Sequence, residues 1–233
     1  MKSLRRVFLA TASSVALVGS AAAQPPGPIA MSWTGPYLGL NIGGAWNNAR
    51  FIDRGGPGGQ FAFPVGSNDP FWAPSQAGFT FGGQAGYNWQ SGNIVYGIEG
   101  DVNWVGNNAS ATLAGFGPIL ASTKLDWMAT ARGRLGYAFS KFLVYGTGGV
   151  AFAHFADAYG FVGNEFSNSV TRTGWTAGGG IEYMVSRNWT VRAEALFADF
   201  GSYDQTIFIF GGNYTSTFKH TVTTARAALN WKW

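Results

Sequence analysis

Four acidic residues and four arginines are the side chains of this sequence best suited to chemistry. They are Glu99, Asp101, Arg132, Arg134, Glu182, Arg192, Glu194 and Arg226. Carboxylates facing guanidinium groups occur in active sites, and they also occur in protein interiors, where the opposite charges compensate one another. The sequence shows no Ser-His-Asp set and no phosphate-binding loop. We therefore favour a structural charge network, with a catalytic or transport site as the alternative.

Metal and haem sites have little support in the composition. The chain has no cysteine and only two histidines, His154 and His220. A metal site built on two histidines would need carboxylate ligands as well. The two histidines are weak candidates for binding a haem, and both are expected at the outer rim of the fold described next. No cofactor is predicted.

The elements that position these charges are predicted to be β-strands. Between residues 124 and 137, apolar residues that include Leu125 and Trp127 alternate with polar residues that include Arg132 and Arg134. Period two places both arginines on one side of a strand, whereas a helix would scatter them. The same pattern puts Glu99 and Asp101 together on another strand. We expect Glu99 at the height of Arg134, Asp101 at that of Arg132, Glu182 facing Arg192, and Glu194 within reach of Arg226.

Eight such strands are predicted, joined by alternating short and long connections. The predicted strands are residues 33–46, 79–90, 94–105, 122–139, 142–153, 173–185, 189–200 and 219–233. The short turns are residues 91–93, 140–141 and 186–188, and the long segments are 47–76, 106–121, 154–172 and 201–218. If Ser140 and Lys141 form a two-residue turn, Arg134 faces Thr147 and Val150 faces Ala131.

The predicted fold class is all-β, an eight-stranded antiparallel transmembrane up-and-down β-barrel. Strands of about ten residues with short turns on one side and long loops on the other are typical of outer-membrane barrels. The rival is a soluble sandwich or lipocalin-like barrel, which would turn its apolar face inward. Outward aromatics near strand ends favour the membrane barrel; they are Trp46, Trp89, Trp104, Trp127 and Trp189.

The amino-terminal residues predict export. Residues 1–23 have a positive start, an apolar run and a small-residue cleavage site, as in a signal peptide. Residues 24–32 form an irregular lead-in, and residues 33–233 form the barrel domain. Without Lys2, Arg5 and Arg6, the 15 basic residues fall to 12 against 11 acidic residues, so the formal charge falls from +4 to +1. No basic run remains that would indicate nucleic acid as a partner.

Several segments resemble the small outer-membrane immunogenic proteins of alphaproteobacteria, a family of surface antigens and porin-family proteins. The resemblance rests on residues 33–39 (WTGPYLG), 82–89 (GGQAGYNW), 97–101 (GIEGD) and 225–233. It implies a cell outer-membrane location. It also implies that the carboxyl-terminal aromatic residues, Trp231 and Trp233, form the signal read by the outer-membrane assembly machinery.

The expected function is that of a non-enzymatic outer-membrane surface protein with a structural role in the envelope and loops presented extracellularly. A narrow porin for small solutes is the first alternative, and a surface receptor for haem or another ligand is the second. The expected partners are outer-membrane lipid and lipopolysaccharide, the assembly machinery, and an extracellular or host ligand bound through the loops.

Overall fold

A computed structural model describes residues 32–53, 75–114, 118–161, 164–209 and 212–233. All regular structure in these ranges is β-strand. The strands are β1 (Gly35–Asp53), β2 (Ser75–Ser91), β3 (Ile94–Ala114), β4 (Pro118–Phe139), β5 (Phe142–Phe161), β6 (Asn164–Met184), β7 (Trp189–Ile209) and β8 (Gly212–Lys232). The described residues contain no helix long and apolar enough to cross a membrane. The predicted signal peptide and most of the lead-in lie outside the described residues.

The eight strands form one closed antiparallel barrel, in which each strand pairs with its neighbours in the sequence. Strands β1 and β8 close it, from Tyr37 opposite Lys232 to Asp53 opposite Ser216. Closure leaves no strand edge over the part of the barrel in which all eight strands pair. Towards the loop end the pairing of β6 with β7 stops at Trp175 and Asp199, and beyond that point β6 pairs with β5 and β7 pairs with β8. The predicted fold class is confirmed.

Short connections join the strands at one end of the barrel, which we call the turn end. Gly92 and Asn93 connect β2 to β3, and Ser140 and Lys141 connect β4 to β5. The second turn sets the register of its hairpin: Arg134 lies opposite Thr147, and Ala131 lies opposite Val150. That predicted register is confirmed, because a two-residue turn fixes which residues face each other.

At the other end, which we call the loop end, the strands are longer than the sequence predicts. Much of the predicted loops at residues 106–121, 154–172 and 201–218 is paired strand. Those loop bounds are therefore wrong. Continued pairing satisfies backbone N–H and C=O groups even where the side chains no longer alternate between apolar and polar. The first predicted loop is also shortened, because β1 runs to Asp53 and β2 begins at Ser75; residues 54–74 lie outside the described part.

The register is interrupted near the loop end of β4. Leu125 lies opposite Phe155 and Trp127 lies opposite His154, so Asp126 is an extra residue relative to β5. An inserted residue of this kind reverses the faces on one side of it. Leu125 is consequently buried inside the barrel, and its predicted place on the outer face with Trp127 is wrong.

Candidate functional site: the charged layer inside the barrel

Burial in this barrel is reversed relative to a water-soluble protein. Leu40 on the outer face is 73% exposed, whereas Asp101 on the inner face is 4% exposed. The eight predicted charged residues all point inward, and their side chains are almost fully buried. They come from β3, β4, β6, β7 and β8, because the period of two repeats in each strand. Together they form a layer across the middle of the barrel, which we call the charged layer.

Arg132 forms ion pairs with three carboxylates. Its Nη2 lies 2.5 Å from Glu99 Oε1 and 2.9 Å from Asp101 Oδ2, and its Nη1 lies 3.2 Å from Glu194 Oε1. In the register Glu99 lies opposite Arg132, and Asp101 lies opposite Thr130. The expected heights of Glu99 and Asp101 therefore differ by one inward position from those observed. The β3–β4 connection is long and the register shifts between Trp104 and Asn107, so counting residues across it fails.

Two further arginines, Arg134 and Arg192, contact Glu182 and Glu99. Arg134 Nη2 lies 2.8 Å from Glu182 Oε2, and Arg192 Nε lies 3.3 Å from the same oxygen. Arg192 also reaches Glu99 Oε2 at 2.5 Å. Arg134 lies 3.9 Å from that Glu99 oxygen, which leaves Glu182 as its nearer carboxylate.

Arg226 closes the network from β8. Its Nη1 lies 3.0 Å from Asp101 Oδ1, and its Nη2 lies 2.7 Å from Glu194 Oε1. The layer thus holds four acids and four arginines, and its formal charges balance. Buried charges are costly unless they are paired and hydrogen-bonded. Here each carboxylate contacts at least two guanidinium groups.

Two tyrosines complete the charged layer, and the sequence analysis did not single them out. The Tyr37 hydroxyl donates to Glu99 Oε2 at 2.5 Å, and the Tyr145 hydroxyl donates to Glu194 Oε2 at 2.7 Å. The guanidinium carbon of Arg134 lies 4.0 Å from the centre of the Tyr145 ring. The turn at Ser140–Lys141 places Val144 outward, so the next residue, Tyr145, could have been assigned to the interior from the sequence.

Apolar side chains form a buried cluster on each side of the charged layer. At the turn end they are Trp33, Val95, Ala138, Leu143 and Met184, which cluster with the ring of Tyr145. Towards the loop end they are Ala45, Val105, Leu125, Met128, Ala151, Ala153, Phe155, Ala198, Phe200 and Val222. Uncharged polar side chains, among them Asn41, Gln84 and Asn230, are also buried inside and hydrogen-bonded to one another. The interior is therefore polar, as the sequence predicts, with an apolar cluster on each side of the charged layer.

The two histidines lie on opposite faces of the barrel wall. His154 points outward, where its ring is parallel to that of Trp127 with centroids 6.1 Å apart. His220 is buried inside, where its ring stacks on Phe155 at 4.4 Å. The structure therefore does not bring the two weak haem candidates together. Within the described ranges, no three His, Asp or Glu side chains are grouped as they would be around a metal ion.

The carboxyl-terminal aromatics lie on the outer face at the turn end. Trp231 packs edge-on against Trp189, with ring centroids 5.2 Å apart. Trp233 is 64% exposed, and its backbone N–H donates to the carbonyl of Pro36 at 3.3 Å. Their predicted role as an assembly signal stays a prediction.

Aromatic side chains form two belts around the outer face. Trp46, Phe81, Trp104, Trp127 and Trp175 lie towards the loop end, and Trp89, Tyr96, Tyr137, Phe142 and Trp189 lie near the turn end. Between the belts the outward residues are apolar. A closed barrel with an apolar exterior, aromatic belts and a charged interior is a transmembrane β-barrel.

Comparisons with known proteins identify the family. The family model described as the outer membrane protein beta-barrel domain matches residues 10–215. The 31 kDa outer-membrane immunogenic protein of Brucella melitensis is 34% identical over 224 residues, which cover 86% of each chain. The 22 kDa outer membrane protein of Rhizobium leguminosarum bv. viciae is 39% identical over 129 residues, 54% of this chain and 56% of that protein.

The chain belongs to the outer-membrane β-barrel family, and it is a protein of the outer membrane. Its resemblance to alphaproteobacterial outer-membrane immunogenic proteins is confirmed. Among solved structures, OprG from Pseudomonas aeruginosa is similar with a TM-score of 0.51 and 13% identity, over 86% of this chain and 97% of that one. At that identity the likeness shows the fold alone.

Proposed function

We propose that this protein is a non-enzymatic structural and surface protein of the outer membrane, with a closed interior and with its long loops presented outside the cell. The supporting observation is the filled interior, in which ion pairs are buried and an apolar cluster lies on each side of them. Such an interior holds the barrel wall together, and its charged groups contact one another rather than water.

The size of the barrel supports a closed interior. Eight strands enclose a space that side chains alone can fill. A water-filled pore would leave its lining charges solvated, whereas the Arg132 and Asp101 side chains are 0% exposed. The narrow porin thus has less support than the closed barrel.

The arrangement of the acids favours a structural role over a catalytic one. A general acid or base needs access to a substrate. Each carboxylate of the charged layer is instead held by arginines and buried, as for Glu182 with Arg134 and Arg192. A haem receptor has less support still, because His154 and His220 lie on opposite faces of the wall.

The proposed partners follow from the location. Lipid and lipopolysaccharide would contact the outer face, and the assembly machinery would bind Trp231 and Trp233. An extracellular or host ligand would bind the long loops, whose aromatic residues between 54 and 74 suit a contact surface.

Ion conductance tests the closed interior. The refolded protein in a planar lipid bilayer should give no conductance steps under conditions in which a known porin conducts. Its folded state is checked beforehand by gel electrophoresis, in which the unheated folded protein should migrate differently from the heated protein. Reproducible steps from the folded parent protein would overturn the closed-barrel proposal in favour of the porin.

A further inference from the structure

The barrel wall has a gap at the loop end, between β6 and β7. The pairing of these two strands stops where Trp175 lies opposite Asp199. On the loop-end side of that pair, residues 164–174 of β6 are paired with β5, and residues 202–209 of β7 are paired with β8. Within the described residues, β6 and β7 therefore each have one unpaired backbone edge there, and we call the two the loop-end edges.

A bulge in β7 accounts for the gap. Between Asp199 and Ser202, β7 has one more residue than the facing part of β8, and Gly201 has a φ of 71°. A bulge bends its strand and increases the local twist, and glycine adopts a positive φ without a steric penalty. Because the bend lies at the position where β6 and β7 separate, the gap is a feature of the fold itself.

The loop-end edges lie beyond the lipid. Trp175 belongs to the aromatic belt towards the loop end, and both edges begin on the far side of it. Unpaired strand edges are tolerated in water but not in the hydrocarbon of a bilayer. In water they are templates for a further strand, and proteins commonly protect them with proline or lysine. Neither residues 164–174 nor residues 200–209 contain proline or lysine, so their sequences do not protect them against strand addition.

The two loop-end edges are complementary in direction and in length. β6 runs from the loop end to the turn end, and β7 runs in the opposite direction. Their segments beyond the last β6–β7 pair, residues 164–174 and 200–209, are nearly equal in length. A single inserted strand would be antiparallel to one edge and parallel to the other. A second copy in the same membrane orientation offers its β7 to β6 and its β6 to β7, so both new ladders are antiparallel.

The wall below the gap permits the close approach of a second barrel. The outward positions beside the β6–β7 seam include small residues, Ala177 and Gly179 on β6 and Ala193 and Ala195 on β7. In lipid, small residues at a contact let two transmembrane elements approach closely. Contact along this seam places the loop-end edges of the two copies beside each other and at the same height.

We propose that two copies of this chain form a dimer through the loop-end edges, with β6 of each copy paired to β7 of the other. A two-fold axis along the membrane normal relates the copies, so the same contact occurs twice and the assembly is closed. Each new ladder of about ten residues adds roughly ten backbone hydrogen bonds. The dimer goes beyond the structural role proposed above and does not depend on it, because an interior that conducts ions would leave the loop-end edges unchanged.

Disulfide cross-linking tests which edges meet. Thr173 on β6 and Ser202 on β7 are exposed positions beside the gap, and the parent chain has no cysteine. Thr173→Cys and Ser202→Cys copies with tags of different size are mixed, refolded together into lipid vesicles and oxidised. The mixed dimer should exceed either same-variant dimer about tenfold, because a disulfide needs Cα atoms within about 7 Å and only β6 and β7 become neighbours. A second mixture replaces Thr173→Cys by Thr171→Cys, so that a two-residue shift in register is also detected.

The matched control mixes Asn48→Cys with Lys124→Cys. Both positions are exposed towards the loop end, on strands that are paired on both sides there. This mixture should give no cross-link. Same-variant dimers as abundant as the mixed dimer would show random encounter and would overturn the proposal.

Sedimentation equilibrium of the refolded chain in mild detergent measures the dimer without cysteines. Thr173→Lys combined with Ser202→Lys places one like-charged pair in each new ladder and should weaken dimerisation about tenfold. Asn48→Lys is the control, since it adds a lysine at the loop end of paired strands, and it should leave the dissociation constant within about twofold. A parent chain that stays monomeric at every concentration would overturn the proposal and would leave the loop-end edges to a strand of another protein.

Discussion

At the residue scale, the charged layer depends on arginine rather than on positive charge alone. Arg132 reaches Glu99, Asp101 and Glu194, and Arg226 reaches two of the same acids. A guanidinium group presents five donors in a fixed plane, so one side chain bridges carboxylates from different strands. Lysine, a point charge on a flexible stem, would not reproduce this bridging.

Removing one arginine should therefore destabilise the barrel strongly. Arg132→Met keeps a long apolar side chain but leaves its acids short of one partner, which should lower the free energy of unfolding by about 3–5 kcal/mol. Urea titration in lipid vesicles, followed by tryptophan fluorescence, measures the change. The matched control is Lys124→Gln, which breaks a half-exposed ion pair and should cost at most about 1 kcal/mol.

The pairing itself is tested by a double substitution. Arg132→Met combined with Asp101→Asn should cost clearly less than the sum of the two single changes, because neither side chain then keeps an unmatched charge. Strictly additive losses would show that Arg132 and Asp101 do not stabilise each other.

The sequence predicts which charged residues form the charged layer, but it does not predict all of their contacts. Alternation alone places Glu99, Arg132 and Glu182 inside, because it needs no knowledge of neighbouring strands. Contacts depend on register, which a short turn fixes, as for Glu182 opposite Arg192. The expected contact of Glu194 with Arg226 also agrees with the structure, although a long connection joins β7 to β8. Across the long β3–β4 connection the register shift could not be read from the residues.

At the element scale, the strands and their turns differ in how well the sequence predicts them. Strand starts and ends at the turn end agree with the structure to within about two residues, because glycine, serine and asparagine interrupt the apolar alternation there. At the loop end the side chains lose their alternation while backbone pairing continues, so no pattern in the sequence marks where the strands end.

The β4–β5 turn carries a local strain that a substitution should relieve. Ser140 has a φ of 55°, the only positive φ of a non-glycine residue in the described ranges. That conformation is unfavourable for L-residues but not for glycine. Ser140→Gly should raise the free energy of unfolding by about 0.5–1 kcal/mol in the urea titration.

Ser91 provides the comparison for that change. It is an exposed serine at the end of β2 without a positive φ. Ser91→Gly should therefore lower the free energy of unfolding by a few tenths of a kcal/mol, because glycine adds conformational entropy to the unfolded chain. If both glycines change stability in the same direction, the strain at Ser140 is not responsible.

At the scale of the whole molecule, the orientation in the membrane decides which surface meets the outside. Outer-membrane barrels have short periplasmic turns and long extracellular loops. We therefore expect cysteines introduced at Gly58 or Gly212 to react with a membrane-impermeant thiol reagent on intact cells. A cysteine at Arg187, in the exposed β6–β7 turn, should react only after the cells are permeabilised.

The chain has no cysteine of its own, so labelling of the parent protein gives the background directly. Permeabilised cells supply the reactivity control for all three positions. Labelling of Arg187→Cys on intact cells, with Gly58→Cys unreactive, would reverse the orientation and remove the long loops from the proposed surface.

The pairing of β1 with β8 has a consequence for biosynthesis. Tyr37 meets Lys232 and Asp53 meets Ser216, so the first strand to emerge during translation finds one of its two neighbours in the last. Until β8 is present, a partial barrel has two open edges, whose unpaired backbone groups cost several kcal/mol each in lipid. The nascent chain therefore has to remain unfolded until β8 has been translated. A polypeptide truncated before β8 would not form a stable barrel in the bilayer.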